Sequence, residues 1–255
     1  MSGNLHGHDI GITTDVVTTI SDLQELLLTI SSKSHIYLDI KGRNLGRNGT
    51  IEYVTILTDW QISMRFMRTV RIIDIQALGN AAFTTPASDG TTLRNILENP
   101  RPVKCFWDVR DKAAALWGLY GIRLAHVVDL QLLEVVSRRA GEDRKFLRTM
   151  ESCVVDGTED EARQSWRQAI FDSVNTARES EPGERFTRRP TDGWMMDYCT
   201  ATVQYLPNLH TQYLSRSSQE ERASAGIGSR RRVEAAQRDD YEPVLSNVSE
   251  LWTGE

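Results

Sequence analysis

Three cysteines in 255 residues, Cys105, Cys153 and Cys199, are odd in number and not closely paired, so the chain carries neither a disulfide framework nor a zinc motif. The five histidines are scattered with no pair at metal-ligand spacing. No Ser-His-Asp or Cys-His arrangement can be assembled, and no phosphate-cradling glycine loop is present. An excess of positive charge is missing as well. A net charge of -5 and an isoelectric point of about 5.6 exclude a protein that coats nucleic acid through its whole surface, but leave room for one local basic groove. No apolar run approaches the roughly 18 residues of a membrane span, and the opening MSGNLHGHDI lacks the basic and apolar pattern of a secretory signal. Internal repeats and low-complexity tracts are absent. These absences together point to an intracellular protein, cytoplasmic or nuclear, with reduced thiols.

What the chain has is enough apolar content, 40% hydrophobic against 25% charged, to bury the core of one large domain. The expected organisation is a flexible N-terminus over 1–13, a domain over 14–214 and a polar C-terminal tail over 215–255. After a β-branched run at 14–20, SDLQELLLTI predicts a helix with Ser21 and Gln24 as a capping box. HIYLDI (35–40), TIEYVTIL (50–57) and VRIIDI (70–75) read as strands, the first two joined by the turn-forming GRNLGRNG. TTLRNILEN predicts a helix closed by Pro100 and Pro102; VKCFWDV (103–109) predicts a strand that feeds the helix DKAAALWGLY, which Gly121 ends. A further strand and helix follow in IRLAHVVDLQLLEVVSRR. Strands that alternate with helices after an antiparallel start predict an α/β mixed sheet of about five strands. Helical periodicity continues at 158–179 and again from Asp192 to Tyr213, where Pro207 should kink or restart the helix. In the tail, a helix is expected at 229–238.

YLDIKGRNLGRNGTI, VRIIDIQALG with FTT, TLRNILENPRPVKCFWDVRDKAAALWGLYGIRLAHVVDLQLLE, and RRPTDGWMMDYCTATVQYLPNL, taken in order and spacing, resemble the DEDD 3'-5' exonucleases. The resemblance spans roughly residues 14 to 215 and is nearest to the eukaryotic exonuclease-domain-containing group related to ribonuclease D. It implies a ribonuclease-H-like fold and two-metal catalysis, in which four carboxylates hold two divalent cations. Mapped by position, the first acid is Asp39, but the partner glutamate of the Asp-x-Glu motif falls on Lys41. The second-motif ligand falls on Lys112, four residues after Asp108. In the third motif Tyr198 is kept and the aspartate four residues on is Thr202. Asp111 is a neighbouring acid. Because a helix turns about 100° per residue, it should face away from the site unless the helix start has shifted. One carboxylate and two ammonium groups give the site a net positive charge before any metal arrives. An ammonium about 4 Å from a dication is repelled by several kcal/mol even at an effective dielectric near 20. The resemblance therefore implies a pseudoexonuclease with no metal cofactor, magnesium or manganese being required only if Asp39, Asp108 and Asp111 form a shifted site.

Two readings of the lysines stay open: Lys41 and Lys112 fill a site released from catalysis and pair with Asp39, or their ammonium groups contact a nucleic-acid phosphate. Tyr198 is either a core aromatic left over from the catalytic motif or a nucleic-acid contact. Arg43 and Arg47 in the β-hairpin, Arg110, and the pair Arg188 and Arg189 could line a groove, and Trp107 at a strand end could stack a base. The function these residues suggest is a nucleic-acid-binding adaptor, for RNA above all, in RNA processing or silencing. Members of the resembled group that have lost catalytic acids also suggest a homodimer. The alternatives are an active exonuclease with a shifted metal site and a protein-assembly module that binds no nucleic acid.

Overall fold

The computed structural model of the protein describes residues 11–62, 65–157, 164, 167, 168, 186, 187, 189–242 and 249. Its elements run β1 (Gly11–Val17), α1 (Ile20–Thr29), β2 (His35–Lys41), β3 (Tyr53–Ile62), β4 (Arg65–Asp74), α2 (Ile75–Leu78), α3 (Ala81–Thr84), α4 (Leu93–Glu98), β5 (Val103–Phe106), α5 (Arg110–Tyr120), β6 (Val127–Asp129), α6 (Leu130–Val136), α7 (Met150–Gly157), α8 (Gly193–Ala201), α9 (Leu206–Arg216) and α10 (Gln219–Ala236).

The described strands form one sheet of six, in the order β1-β4-β3-β2-β5-β6, one more than the sequence suggests. The extra strand is β1, which begins at Gly11, inside the segment expected to be a loose N-terminus, and pairs in parallel with β4. β2, β3 and β4 are antiparallel neighbours, while β5 and β6 run parallel to β2. The α/β class and the mixed sheet follow the sequence reading.

Period-two alternation divides β2 between two cores. Ile36, Leu38 and Ile40 join Leu23, Leu27, Leu93, Leu97 and Leu116 on the face covered by α1, α4 and α5. Tyr37 points the other way, into a cluster with Leu57, Val70, Leu133, Met195 and Leu209 under α6, α8 and α9. Each fully buried Leu or Ile contributes roughly 1.5–3 kcal/mol of transfer free energy. These two layers make β2, third from the β6 edge, a fixed platform.

Several local details differ from the sequence reading. α1 is capped by Thr19, whose hydroxyl accepts from the Asp22 N–H, and not by Ser21. The extended backbone at Thr19 suits an N-cap. The stretch from Asp192 is two helices, α8 and α9, separated by a turn. Pro207 sits in the first turn of α9, where its missing N–H costs nothing. Of the predicted tail, residues 219–236 are helix α10, opened by a Ser218–Glu221 capping box and packed on α5, α6 and β6. The stripe α10 buries consists of Ala225, Gly228, Ser229, Arg232, Val233 and Ala236, too small and polar to register as hydrophobic periodicity. The helix expected over 158–179 and the residue Arg188 lie outside the described residues, apart from positions 164, 167 and 168.

Candidate functional site

Residues two apart on a strand share a face, so Asp39 and Lys41 follow Tyr37 on the side of β2 that looks toward α8. Asp39 is buried, and Lys41 Nζ lies 2.7 Å from its Oδ2. Lys112, in the first turn of α5, brings its Nζ to 3.5 Å from Asp39 Oδ1. The same ammonium donates to the carbonyl oxygens of Trp107 (3.2 Å) and Asp108 (3.0 Å), so two hydrogen bonds and one ion pair hold it. The Lys41 ammonium also lies 4.6 Å from the centroid of the Tyr198 ring, a cation–π contact from α8. The Thr202 hydroxyl donates to the Cys199 carbonyl at 2.9 Å and contributes to holding the Asp39 carboxyl ionised.

Burial alone would raise the Asp39 pKa, but the charges of Lys41 and Lys112 and the hydrogen bonds from Lys41 and Thr202 outweigh it and hold the carboxyl below its ordinary range. Burial would likewise lower the Lys41 pKa, and Asp39 reverses that, so the ammonium is held more firmly than in water. With their side chains only 17% and 16% exposed, Lys41 and Lys112 are built into the site.

Asp108 has a left-handed backbone, φ +51°, which an aspartate tolerates better than most residues. Asp129, the N-cap of α6, holds this turn by accepting from the N–H groups of Asp108 (3.1 Å) and Val109 (3.0 Å). The carboxylate of Asp108 takes the Arg110 fork at 2.7 Å on each oxygen. From α10, Arg232 Nη1 reaches Asp129 Oδ2 at 2.8 Å, Gln131 Oε1 at 3.0 Å and Asp108 Oδ1 at 3.5 Å. Against the upward push of burial, Arg110 and Arg232 draw the Asp108 pKa down. Asp111 instead accepts from the Tyr241 hydroxyl at 3.1 Å. No group of three or more His, Cys, Asp or Glu able to hold a metal ion occurs among the described residues. A two-cation centre needs converging carboxylates, whereas the one carboxylate at the centre already faces two ammonium groups. The residues present do not fit that cofactor.

The structure thus brings Asp39, Lys41, Lys112, Tyr198 and Thr202 together, with Trp107 joined through its carbonyl. The rings of Trp107 and Tyr198 are half-buried against the second core cluster. The other cationic candidates are engaged elsewhere. Arg43 is 3.5 Å from Glu52, and Arg110 is held by Asp108. Arg47 donates to the Gln237 and Arg238 carbonyls and to Asp239 at 2.8 Å. Arg189 lies 4.5 Å from the Tyr53 ring centroid and 2.8 Å from Asp74. Sequence reasoning passed over Asp129 and Arg232. The first carries a signal, an aspartate between an apolar strand and an apolar helix; the second carries none, being one of three consecutive arginines on a polar helix.

No protein-family model matches the sequence, and no curated protein matches it either. Solved structures do resemble it. RNase D of Trypanosoma brucei in complex with RNA U12 superposes with a TM-score of 0.69 at 18% identity, covering 92% of this chain and 73% of that one. The fold is that of a DEDD 3'-5' exonuclease. Escherichia coli RNase D, an exoribonuclease involved in structured RNA processing, gives 0.59 at 16% identity over 89% of this chain, which spans about half (51%) of that one. Brucella melitensis NrnC with bound Mg2+ gives 0.53 at 12% identity over 91% of this chain and 98% of that one.

Proposed function

We propose that the protein is a catalytically silent 3'-5' exonuclease-like domain that binds RNA as an adaptor. The observation that carries the reading is the pairing of Lys41 and Lys112 with Asp39. Two ammonium groups occupy the carboxylate around which the fold's cation centre would assemble, so water activation and leaving-group stabilisation by metal have no seat here. What remains is a surface edged by the half-buried rings of Trp107 and Tyr198, with the Lys41 ammonium held between Asp39 and the Tyr198 ring. Aromatic faces stack on bases of any sequence at roughly 1–3 kcal/mol each, and an ammonium meets phosphate as a point charge. Lys112 serves mainly to hold Asp39 and the turn at Trp107–Asp108. The RNA association of the RNase D structures supports the choice of ligand.

Fluorescence polarisation with a labelled single-stranded RNA, at low and high salt, tests the binding, and gel analysis of the same RNA with Mg2+ or Mn2+ tests the silence. Salt-sensitive binding without shortening of the strand is expected. Shortening abolished by Asp39→Ala would establish an active enzyme instead. The absence of any binding to RNA or DNA would leave the protein-assembly reading, which the intramolecular engagement of Arg47, Arg110 and Lys112 favours.

A further inference from the structure

Helix α10 carries a second stripe beside its buried one. Arg222, Ala223, Gly226, Ile227, Arg230 and Glu234 recur at helical spacing and form one wall of a groove of about 710 Å3. The other wall is the segment 123–128 that leads into β6, the terminal strand of the sheet. Leu124, Val127, Val128 and Val233 give the groove an aliphatic floor. On its rim Ile227 is 49% exposed, a large apolar side chain presented to solvent on an otherwise polar helix.

The charge on the rim is predominantly positive. Arg123, Arg222 and Arg230 face a single acid, Glu234, in a chain whose net charge is -5. None of the three arginines is neutralised. Arg123 stacks 5.4 Å from the Trp117 ring centroid, and Arg222 donates only to the Ser217 hydroxyl and the Leu214 carbonyl. Arg230 has no partner among the described residues. A nucleic acid would use the arginines, but it would leave the aliphatic floor uncovered and find a single ring among the described lining residues, the imidazole of His126, whose Nδ1 is engaged with the Pro100 carbonyl at 2.8 Å. A peptide that carries both acids and apolar side chains uses both features, as amphipathic segments do when they lie in grooves.

We propose that this groove docks an acidic segment of a partner protein, whose apolar anchors pack over Gly226 and against Ile227 while its carboxylates meet Arg123, Arg222 and Arg230. The surface is separate from the Asp39 cleft and gives the proposed adaptor a protein-binding face.

The test is selection of a displayed random-peptide library on the full chain, with recovered peptides measured against three variants. A Cβ at Gly226 meets nothing within 4 Å, and replacing a helix glycine raises helix propensity, so Gly226→Leu should place bulk in the groove at no backbone cost, which the melting temperature of the variant checks. Arg230→Glu and Arg123→Glu reverse rim charges that hold no acid. Recovered peptides should combine Asp or Glu with apolar anchors, and each variant should weaken their binding by about tenfold or more. Peptides without acidic bias, or with equal affinity for all variants, overturn the proposal. So does loss of single-stranded RNA affinity in Arg230→Glu and Arg123→Glu together with Gly226→Leu, which would assign the groove to RNA. A dimer in the parent chain that Gly226→Leu dissociates would assign it to a second copy and overturn the proposal too.

Discussion

Lys41 Nζ stands 2.7 Å from Asp39 Oδ2, two residues away on the same face of a central strand, and the pair is buried under Tyr198. A buried pair of this kind is asymmetric: breaking it by removing one partner leaves the other desolvated and uncompensated, at about 3–5 kcal/mol, whereas removing both costs far less. Lys41→Met should therefore lower stability by about 3 kcal/mol, moderated because Lys112 stays within 3.5 Å of Asp39. The double variant Asp39→Asn, Lys41→Met should fall short of the sum of the singles by more than about 1 kcal/mol. Urea denaturation of the four proteins measures the coupling; strict additivity would show that the two side chains do not depend on each other.

The same geometry makes a prediction about metals. The parent chain should show no Mn2+-dependent rise in melting temperature. Replacing the cations and the threonine with acids, Lys41→Glu, Lys112→Asp and Thr202→Asp, gathers carboxylates around Asp39 and should produce a rise that chelator reverses. A comparable rise in the parent chain would contradict the exclusion of cations by Lys41 and Lys112.

Stability should depend on pH in two separate windows. His210 is buried beside His35, Tyr37 and Cys105, with its Nδ1 3.2 Å from the Tyr37 hydroxyl. Burial, with a smaller push from His35, lowers its pKa to about 4. Because the folded value lies below the unfolded value of about 6.5, the neutral ring contributes stability that is complete above pH ~6.5 and lost as pH falls through about 4. Asp39 and Asp108 are also depressed, Asp108 to about 2, so their contribution is present above the unfolded carboxyl value near 4 and is lost below it. His210→Asn, which keeps an acceptor for Tyr37, should shrink the upper window and leave the lower one. His35, pushed down by burial, Arg101 and His126, supplies what remains of the upper window. Denaturation midpoints from pH 7.5 to 2.5 would resolve the two windows. An unchanged upper window in His210→Asn would refute the assignment.

Gly42 follows β2 directly, and a Cβ there would run into the Thr50 carbonyl across the hairpin. Because the obstacle is backbone, it cannot swing aside, and Gly42→Ala should cost about 2 kcal/mol or more, as overpacking does. A thermal melt within a degree of the parent would show that the hairpin can open at no cost.

The fold was legible wherever large apolar residues set the period. Ile36, Leu38 and Ile40 announce β2, and Leu93, Ile96 and Leu97 announce α4. That Lys41, Lys112 and Tyr198 belong to one cluster with Asp39 was legible too, because the apolar context of each fixes its position, and the structure brings them together. What escaped was decided by backbone and by distant charge. Gly11–Val17 becomes a strand only because β4 offers an edge, and α10 buries small residues and an arginine that composition assigns to solvent. The cationic candidates Arg47 and Arg110 had acids and carbonyls waiting for them, at Asp239 and Asp108, that no local pattern could reveal.

Arg232 illustrates the point and makes the last prediction. Its guanidinium, 3% exposed as a residue, joins the α10 helix to Asp129, which is fully buried, and to Asp108 and Gln131. Asp129 in turn fixes the left-handed turn at Asp108 from which Lys112 takes one of its carbonyl partners. Arg232→Met leaves that carboxylate buried without its cation and should cost about 3 kcal/mol. Arg232→Lys restores the charge but not the planar fork that spans several acceptors, so it should recover only part of the loss. Amide hydrogen exchange at Asp108 and Val109 reads the positioning role directly: in both variants their protection should fall more than that of the β2–β3 ladder. If Arg232→Lys matched the parent in stability and in exchange, the fork geometry would be irrelevant and only a positive charge would be required at this position.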